Sequence, residues 1–177
     1  GSHGLEVSDM RVERTTSVES IQAVFNHPAI VRDVWDFGEP KTLPQAPSIY
    51  YLLAKDERSD DGAVSDVLVG AMMFVPMNSI TWNPHIAILP EHRGAGTEVM
   101  RLGMAWMFEN TDCKKLVAYP PSFNRRMVRV FEKCGWKREG MSPASFSWNG
   151  VLYDRLMLGV ESGANAANLS NLIRMMG

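Results

Sequence analysis

The stretch Ile88-Leu89-Pro90-Glu91-His92-Arg93-Gly94-Ala95-Gly96-Thr97-Glu98 decides how this chain is read. It follows a run of strand formers, Thr81 to Leu89, and opens the longest helical pattern, Gly94 to Asn110. Glycines at such a junction let the backbone approach a ligand closely, and the first amides of a helix have no internal acceptors. Together with the helix dipole these amides make a seat for phosphate or pyrophosphate, to which Arg93 adds a charge-assisted hydrogen bond. A plain tight turn would carry the same Gly-x-Gly spacing. The stretch is not a Walker A loop, because no Gly-Lys-Ser/Thr follows, and it lacks the third glycine of a dinucleotide fingerprint.

Working outward toward the N-terminus, Thr81 to Leu89 reads as a strand interrupted near Asn83-Pro84 and stopped by Pro90. Ser48 to Ala54 and Val64 to Val75 read as an antiparallel hairpin, with Asp56 to Gly62 as its polar turn. Phe37 to Pro47 holds three prolines and is loop. Before it, Met10 to Thr16 is a short strand, and Ser17 caps a helix carrying Val18, Ile21, Val24 and Phe25. A second short helix runs from Ala29 to Trp35.

Toward the C-terminus, Val99, Leu102, Gly103 and Trp106 recur at helical spacing, with a methionine-rich flank that is core. Lys115 to Tyr119 is a buried-type strand. The next helix places Met127, Val130, Phe131 and Cys134 on one face, and Gly135 stands where a left-handed cap is wanted. Asn149-Gly150 signals a type I′ turn between two final strands. The order β-α-α-β-β-β-α-β-α-β-β predicts an α/β fold. It has one mixed sheet of six to seven strands, parallel where helices cross between strands and antiparallel at the hairpins.

The chain has 177 residues, 45% of them hydrophobic, with a net charge of −2, which suits one domain with a real core and no global pull toward nucleic acid or anionic lipid. Gly1, Ser2 and His3 read as the scar of a cleaved tag, residues 4–160 as the domain, and 161–177 as a tail. In that tail Leu169, Leu172, Ile173 and Met176 fit either a short amphipathic helix or an unordered end. Cys113 and Cys134 are far apart and lack the ligand spacing of a structural zinc site. With no apolar run of bilayer length and no signal peptide, a soluble, cytoplasmic protein is expected.

Two blocks carry a family resemblance. "ILPEHRGAG" resembles the signature of the Gcn5-related N-acetyltransferases (GNAT), in which Arg/Gln-x-x-Gly-x-Gly/Ala wraps the pyrophosphate of coenzyme A. "NRRMVRVFEKCGWKREG" resembles the family's later Asn-x-x-Ala-x-x-Phe/Leu-Tyr-x-Lys-x-Gly-Phe segment. Both stand in the family's order, with a strand between them. The resemblance implies an acyl-CoA N-acyltransferase fold, acetyl-CoA as donor, an amine of a small molecule or protein as acceptor, and room for a homodimer. Carried over by position, the cofactor contacts fall on Ile88, Leu89, Arg93, Gly94, Ala95, Gly96, Thr97, Glu98, Asn124, Arg126 and Phe131. Glu98 stands where the family has Gly or Ala, and Phe131 where it has tyrosine.

Acetyl transfer needs a base for the amine, a donor for the oxyanion and a proton for the thiolate. The resemblance places the oxyanion donor on a backbone amide near Ile88 or Leu89. His85 suits the base, although it equally fills a strand position beside Pro84. For the leaving group, Phe131 offers no hydroxyl, which leaves Tyr119 and Cys134. Arg125, Arg126 and Arg129 form either a clamp on the 3′-phosphate or a solvated basic face. The resemblance maps the acceptor side to Trp35 to Pro47, where Trp35, Asp36, Phe37 and Glu39 suit a cationic amine, and to the final hairpin. The departures at Glu98 and Phe131 also fit a second reading, a GNAT-fold binding or structural module without catalysis. Small GNAT-like proteins of phages show similar departures.

Overall fold

The computed structural model describes residues 9–34, 42–163 and 175–176. The tag-like residues 1–3, the acceptor-side residues Trp35, Asp36, Phe37 and Glu39, and most of the tail lie outside the described residues. In chain order the elements are β1 (Met10–Arg14), α1 (Val18–Phe25), α2 (Pro28–Val34), β2 (Tyr50–Asp60), β3 (Ala63–Pro76) and β4 (Thr81–Ile88). They continue with α3 (Gly96–Asn110), β5 (Lys115–Ala118), α4 (Arg125–Lys133), β6 (Lys137–Trp148) and β7 (Val151–Glu161). The seven strands make one sheet in the order β1-β2-β3-β4-β5-β7-β6, the mixed α/β architecture expected.

Period-2 alternation divides the apolar residues between the two faces of this sheet. Leu52, Ala54, Met72, Phe74, Trp82 and Ile86 bury one face against α3 and α4, through Val99, Met100, Met107, Val128 and Phe131. Tyr51, Leu53, Ala71, Met73 and Ala87 bury the other against Ile21, Val24 and Phe25 of α1, with Ile30 and Leu43.

Four expectations need correction. The polar stretch from Asp56 is strand as far as Asp60, and the turn is only Asp61-Gly62, both with positive φ (48 and 79). Its polarity reflects a two-stranded ribbon that outruns the core, with Glu57 opposite Asp66 and Ser59 opposite Val64, all exposed. Ser17 is at the N-cap of α1, but its side chain makes no capping bond; its own N–H donates to Thr15 Oγ1 at 3.0 Å. The helix-crossed strands β5 and β6 are not neighbours, because β7 lies between them and is antiparallel to both. The reason is compositional: Leu156-Met157-Leu158-Gly159-Val160 of β7 suits an inner position, whereas Lys137-Arg138-Glu139 of β6 suits an exposed edge.

The fourth correction concerns β4, which runs unbroken through Pro84. Leu89 N donates to Val69 O at 2.9 Å, and Met77 N donates to Thr81 O at 2.8 Å. In an antiparallel ladder hydrogen-bonded pairs alternate, so the odd-numbered residues from Thr81 to Leu89 bond to β3. Even-numbered residues turn their N–H and C=O toward β5. Pro84, which has no N–H, therefore takes nothing from the β3 ladder and sits where only β5 would miss it.

Candidate acyl-donor site

The parallel ladder between β4 and β5 is short. It comprises Thr81↔Lys115 and Trp82↔Leu116 and then stops, one pair before the proline. Beyond it the strands diverge, and the Asn83 side chain spans the fork: its Nδ2, in the orientation that satisfies both ends of the amide, donates to Val117 O at 3.1 Å. On the far side of Pro84, the N–H groups of Ile86 and Ile88 face this gap. The Leu89 amide, bonded to Val69 O, does not. Of the two residues expected near the oxyanion, Ile88 turns its N–H toward the gap and Leu89 does not. Ile86 was missed, and the signal that finds it is a proline in a central strand, which fixes which residues turn away from the paired neighbour.

The gap leads to the phosphate turn. Pro90–His92 form one turn of 3-10 helix, in which His92 N donates to Leu89 O (2.9 Å) and Arg93 N to Pro90 O (3.4 Å). Ala95 N donates to His92 O at 3.1 Å, and the first α-helical bond is Val99 N to Ala95 O at 3.0 Å. The amides of Gly94, Gly96 and Thr97 have no backbone acceptor among the described residues. They form the cluster of donors that a pyrophosphate needs. Gly94 has φ +101, which requires glycine. Gly96 is different: a Cβ there would reach Val130 Cγ2 at 3.4 Å and Ile88 Cγ1 at 3.9 Å, ordinary contact. Packing within the protein does not demand a glycine at 96. Arg93 is exposed beside the turn, and Glu98 is half-buried in the first turn of α3, where the dipole favours a carboxylate.

Helix α4 lies beside this turn. Val130 meets the Gly96 position, and Cys134 Sγ donates to Thr97 O at 3.4 Å. Arg126 is one turn before Val130 on the same stripe, and all three expected arginines are exposed. Asn124 is the N-cap of α4, its side chain accepting from Met127 N at 3.2 Å. Phe131 is 3% exposed and packs at 4.5 Å on Trp136, in the core between α4 and the sheet. Gly135 has φ +87 and Trp136 N returns to Phe131 O at 3.1 Å, which is the left-handed cap expected.

The candidate proton-transfer groups are spread apart. His85 belongs to the α1 and α2 face of the sheet by its alternation with Ala87, and burial pushes its imidazole below its usual 6.5. Tyr119 follows β5 at the rim of the gap, with the Arg155 guanidinium 5.8 Å above its ring. Cys134, by contrast, sits at the phosphate turn, and burial raises its thiol pKa. A cleft of about 410 Å³ lies near α1, lined among others by Ser17, Glu19, Gln22, Thr42, Leu43 and Gln45, the last three within the stretch expected on the acceptor side.

A family model described as an acetyltransferase (GNAT) domain matches residues 10–137. Among solved structures, the spermidine N-acetyltransferase of Vibrio cholerae, in complex with CoA and spermine, has a TM-score of 0.68 at 15% identity, over 86% of this chain and 95% of that one. A candidate phosphinothricin N-acetyltransferase has a TM-score of 0.66 at 18% identity, covering 86% and 98%. The Vibrio cholerae enzyme with manganese ions has 0.63 at 18%, covering 86% and 92%. No curated protein matches the chain significantly in sequence. At these identities the structures establish a shared fold, and the family model establishes more: this chain belongs to the GNAT acetyltransferase family. Its activity is that of an N-acetyltransferase. No helix among the described residues is long and apolar enough to cross a membrane.

Proposed function

We propose that this protein transfers the acetyl group of acetyl-CoA to a primary amine inside the gap between β4 and β5. The observation that carries the reading is the one-sided pairing of β4 beyond Pro84. It turns the Ile86 and Ile88 amides toward a slot that ends at the unpaired amides of Gly94, Gly96 and Thr97. A pantetheine arm lying in that slot pairs with β4 as a substitute strand, and the pyrophosphate then rests on the turn. In this pose Ile88 N–H faces the thioester carbonyl and stabilises its oxyanion. Arg93 and Arg126 supply charge to the phosphates.

His85 takes a proton from the acceptor's ammonium, and the neutral amine so formed attacks the thioester. Because burial favours its neutral form, it is ready to accept a proton at neutral pH. Tyr119, at the rim, is the better placed of the two groups considered for protonating the thiolate, since Cys134 is tied to Thr97 O at the other end of the slot. A thiolate of modest basicity also leaves unaided, so phenylalanine at 131 does not stop the reaction. The cytoplasm, where acetyl-CoA is available, is the compartment proposed.

Calorimetry with acetyl-CoA tests the donor half. Wild type gives saturable heat, and Gly96→Glu, which puts a carboxylate into the phosphate seat, weakens binding by roughly a hundredfold or about 2.7 kcal/mol. Release of free thiol on adding amines tests the transfer half. Binding without amine-dependent thiol release would turn the protein into a CoA-binding module.

A further inference from the structure

Beyond the donor slot, one half-buried arginine, Arg155 of β7, stands without a carboxylate partner among the described residues. Leu156, Leu158 and Val160 point into the core shared with α3 and α4, so Arg155 emerges on the opposite face, the one that also carries His85. On this face α1 and α2 cover β2, β3 and β4, and no described helix covers β5, β7 and β6. The guanidinium therefore stands on an open shelf beside the rim of the gap, 5.8 Å above the Tyr119 ring.

Its orientation is fixed by an irregular piece of β6. The register jumps from Ser142↔Arg155 to Phe146↔Tyr153, so three residues of β6 bulge opposite Asp154 alone. Within the bulge Ala144 has φ +48, a conformation that costs a non-glycine residue about 1 kcal/mol. Its N–H is held by Asp154 Oδ1 at 2.9 Å. The bulge sets the Ser145 hydroxyl, which donates to Ser142 O at 2.8 Å, so that it accepts from Arg155 Nε at 3.2 Å. Nε is engaged, the guanidinium carbon stands 5.8 Å from the Tyr119 ring centre, and the two terminal nitrogens, which have no hydrogen-bond partner among the described residues, remain for a planar anion. Two residues along the same face, Tyr153 packs on Phe123 at 4.6 Å, and Phe146 and Trp148 complete an apolar wall.

We propose that Arg155 is the acceptor-recognition residue of this enzyme, and that the acceptor is a small amine that also bears a carboxylate, of the amino-acid kind. The carboxylate pairs with Arg155 while the amine reaches the thioester past Tyr119 and an apolar side chain rests on the Phe123 wall. This rests on the reading of the gap as the site of acetyl transfer, but its test does not require turnover.

The probes are N-acetyl amino acids, the products such a reaction would give, and the matching N-acetyl amino-acid amides. Both are titrated by calorimetry into wild type, Arg155→Gln and Arg155→Lys in the presence of CoA. Wild type is expected to bind at least one carboxylate probe roughly tenfold or more tighter than its amide. Arg155→Gln brings that ratio close to one, and Arg155→Lys, which keeps the charge without the planar fork, leaves it in between. Equal binding of acid and amide throughout the panel by wild type, or an unchanged ratio in a folded Arg155→Gln, overturns the assignment. Failure of any amine to release thiol from acetyl-CoA would instead count against the transfer reading, and the binding ratio would still decide this one.

Discussion

Strand β4 has two neighbours and treats them differently. Against β3 it is paired without a break from Gly70↔Ile88 to Pro76↔Trp82. Against β5 it is paired at Thr81 and Trp82 only. The same residues are thus a finished ladder on one edge and an open one on the other. A binding slot in a sheet does not require a cavity carved from side chains. It requires two strands that part, and a reason for them to part. Here the reason is Pro84, whose missing N–H falls on the β5 side.

The largest expected effect tests what the open edge does. His85→Ala is predicted to lower the acetylation rate at neutral pH by about a hundredfold, the usual scale of a lost general base, with acetyl-CoA binding kept. In wild type the acid limb of the rate profile should lie below pH 6.5, because burial lowers the His85 pKa. Stability carries the same sign. Below 6.5 the unfolded chain takes up the proton before the folded one, so stability is full above that pH and falls as pH drops toward the folded value; His85→Gln should remove that part of the acid loss. An unchanged rate in His85→Ala would end the base assignment.

The closed edge is tested next. A Cβ on Gly70 would overlap the Ala87 carbonyl oxygen across the β3–β4 ladder. Gly70→Ala should therefore cost about 2 kcal/mol and lower the Tm by about 4–8 °C in thermal unfolding. The smallest effect belongs to the fork. Asn83→Ala removes the donor that ties β4 to Val117 O, and chemical denaturation should register a loss of about 1 kcal/mol. If Asn83→Ala proved as costly as Gly70→Ala, the gap would be a ladder in disguise.

Much of this was legible from residues close together in the chain. The glycine turn, the Asn149-Gly150 hairpin and the Gly135 cap are local devices whose requirement is written in their φ values of +101, 50 and 74, and +87. The site's geometry was less legible, because it depends on which strand lies on which side. Read alone, Pro84 looks like a break; only with β3 paired to its odd neighbours does it mark a slot. The same parity turns the amides of Ile88 and Ile86, and not that of Leu89, toward the gap. Arg155 gave no local signal, since Tyr119 and Ser145, which orient it, come from other strands and loops. Phe131 lies on the inner face of its helix, as its spacing predicts, and packs on Trp136.

The most direct measurement follows backbone amide resonances while acetyl-CoA is titrated into the labelled protein. The amides of Ile86, Ile88, Gly94, Gly96 and Thr97 should shift with one saturable curve, while Ala87 and Leu89, engaged with β3, should move far less. Saturable binding that left Ile86 and Ile88 in place, or shifted the β3-facing amides equally, would contradict the open-edge account.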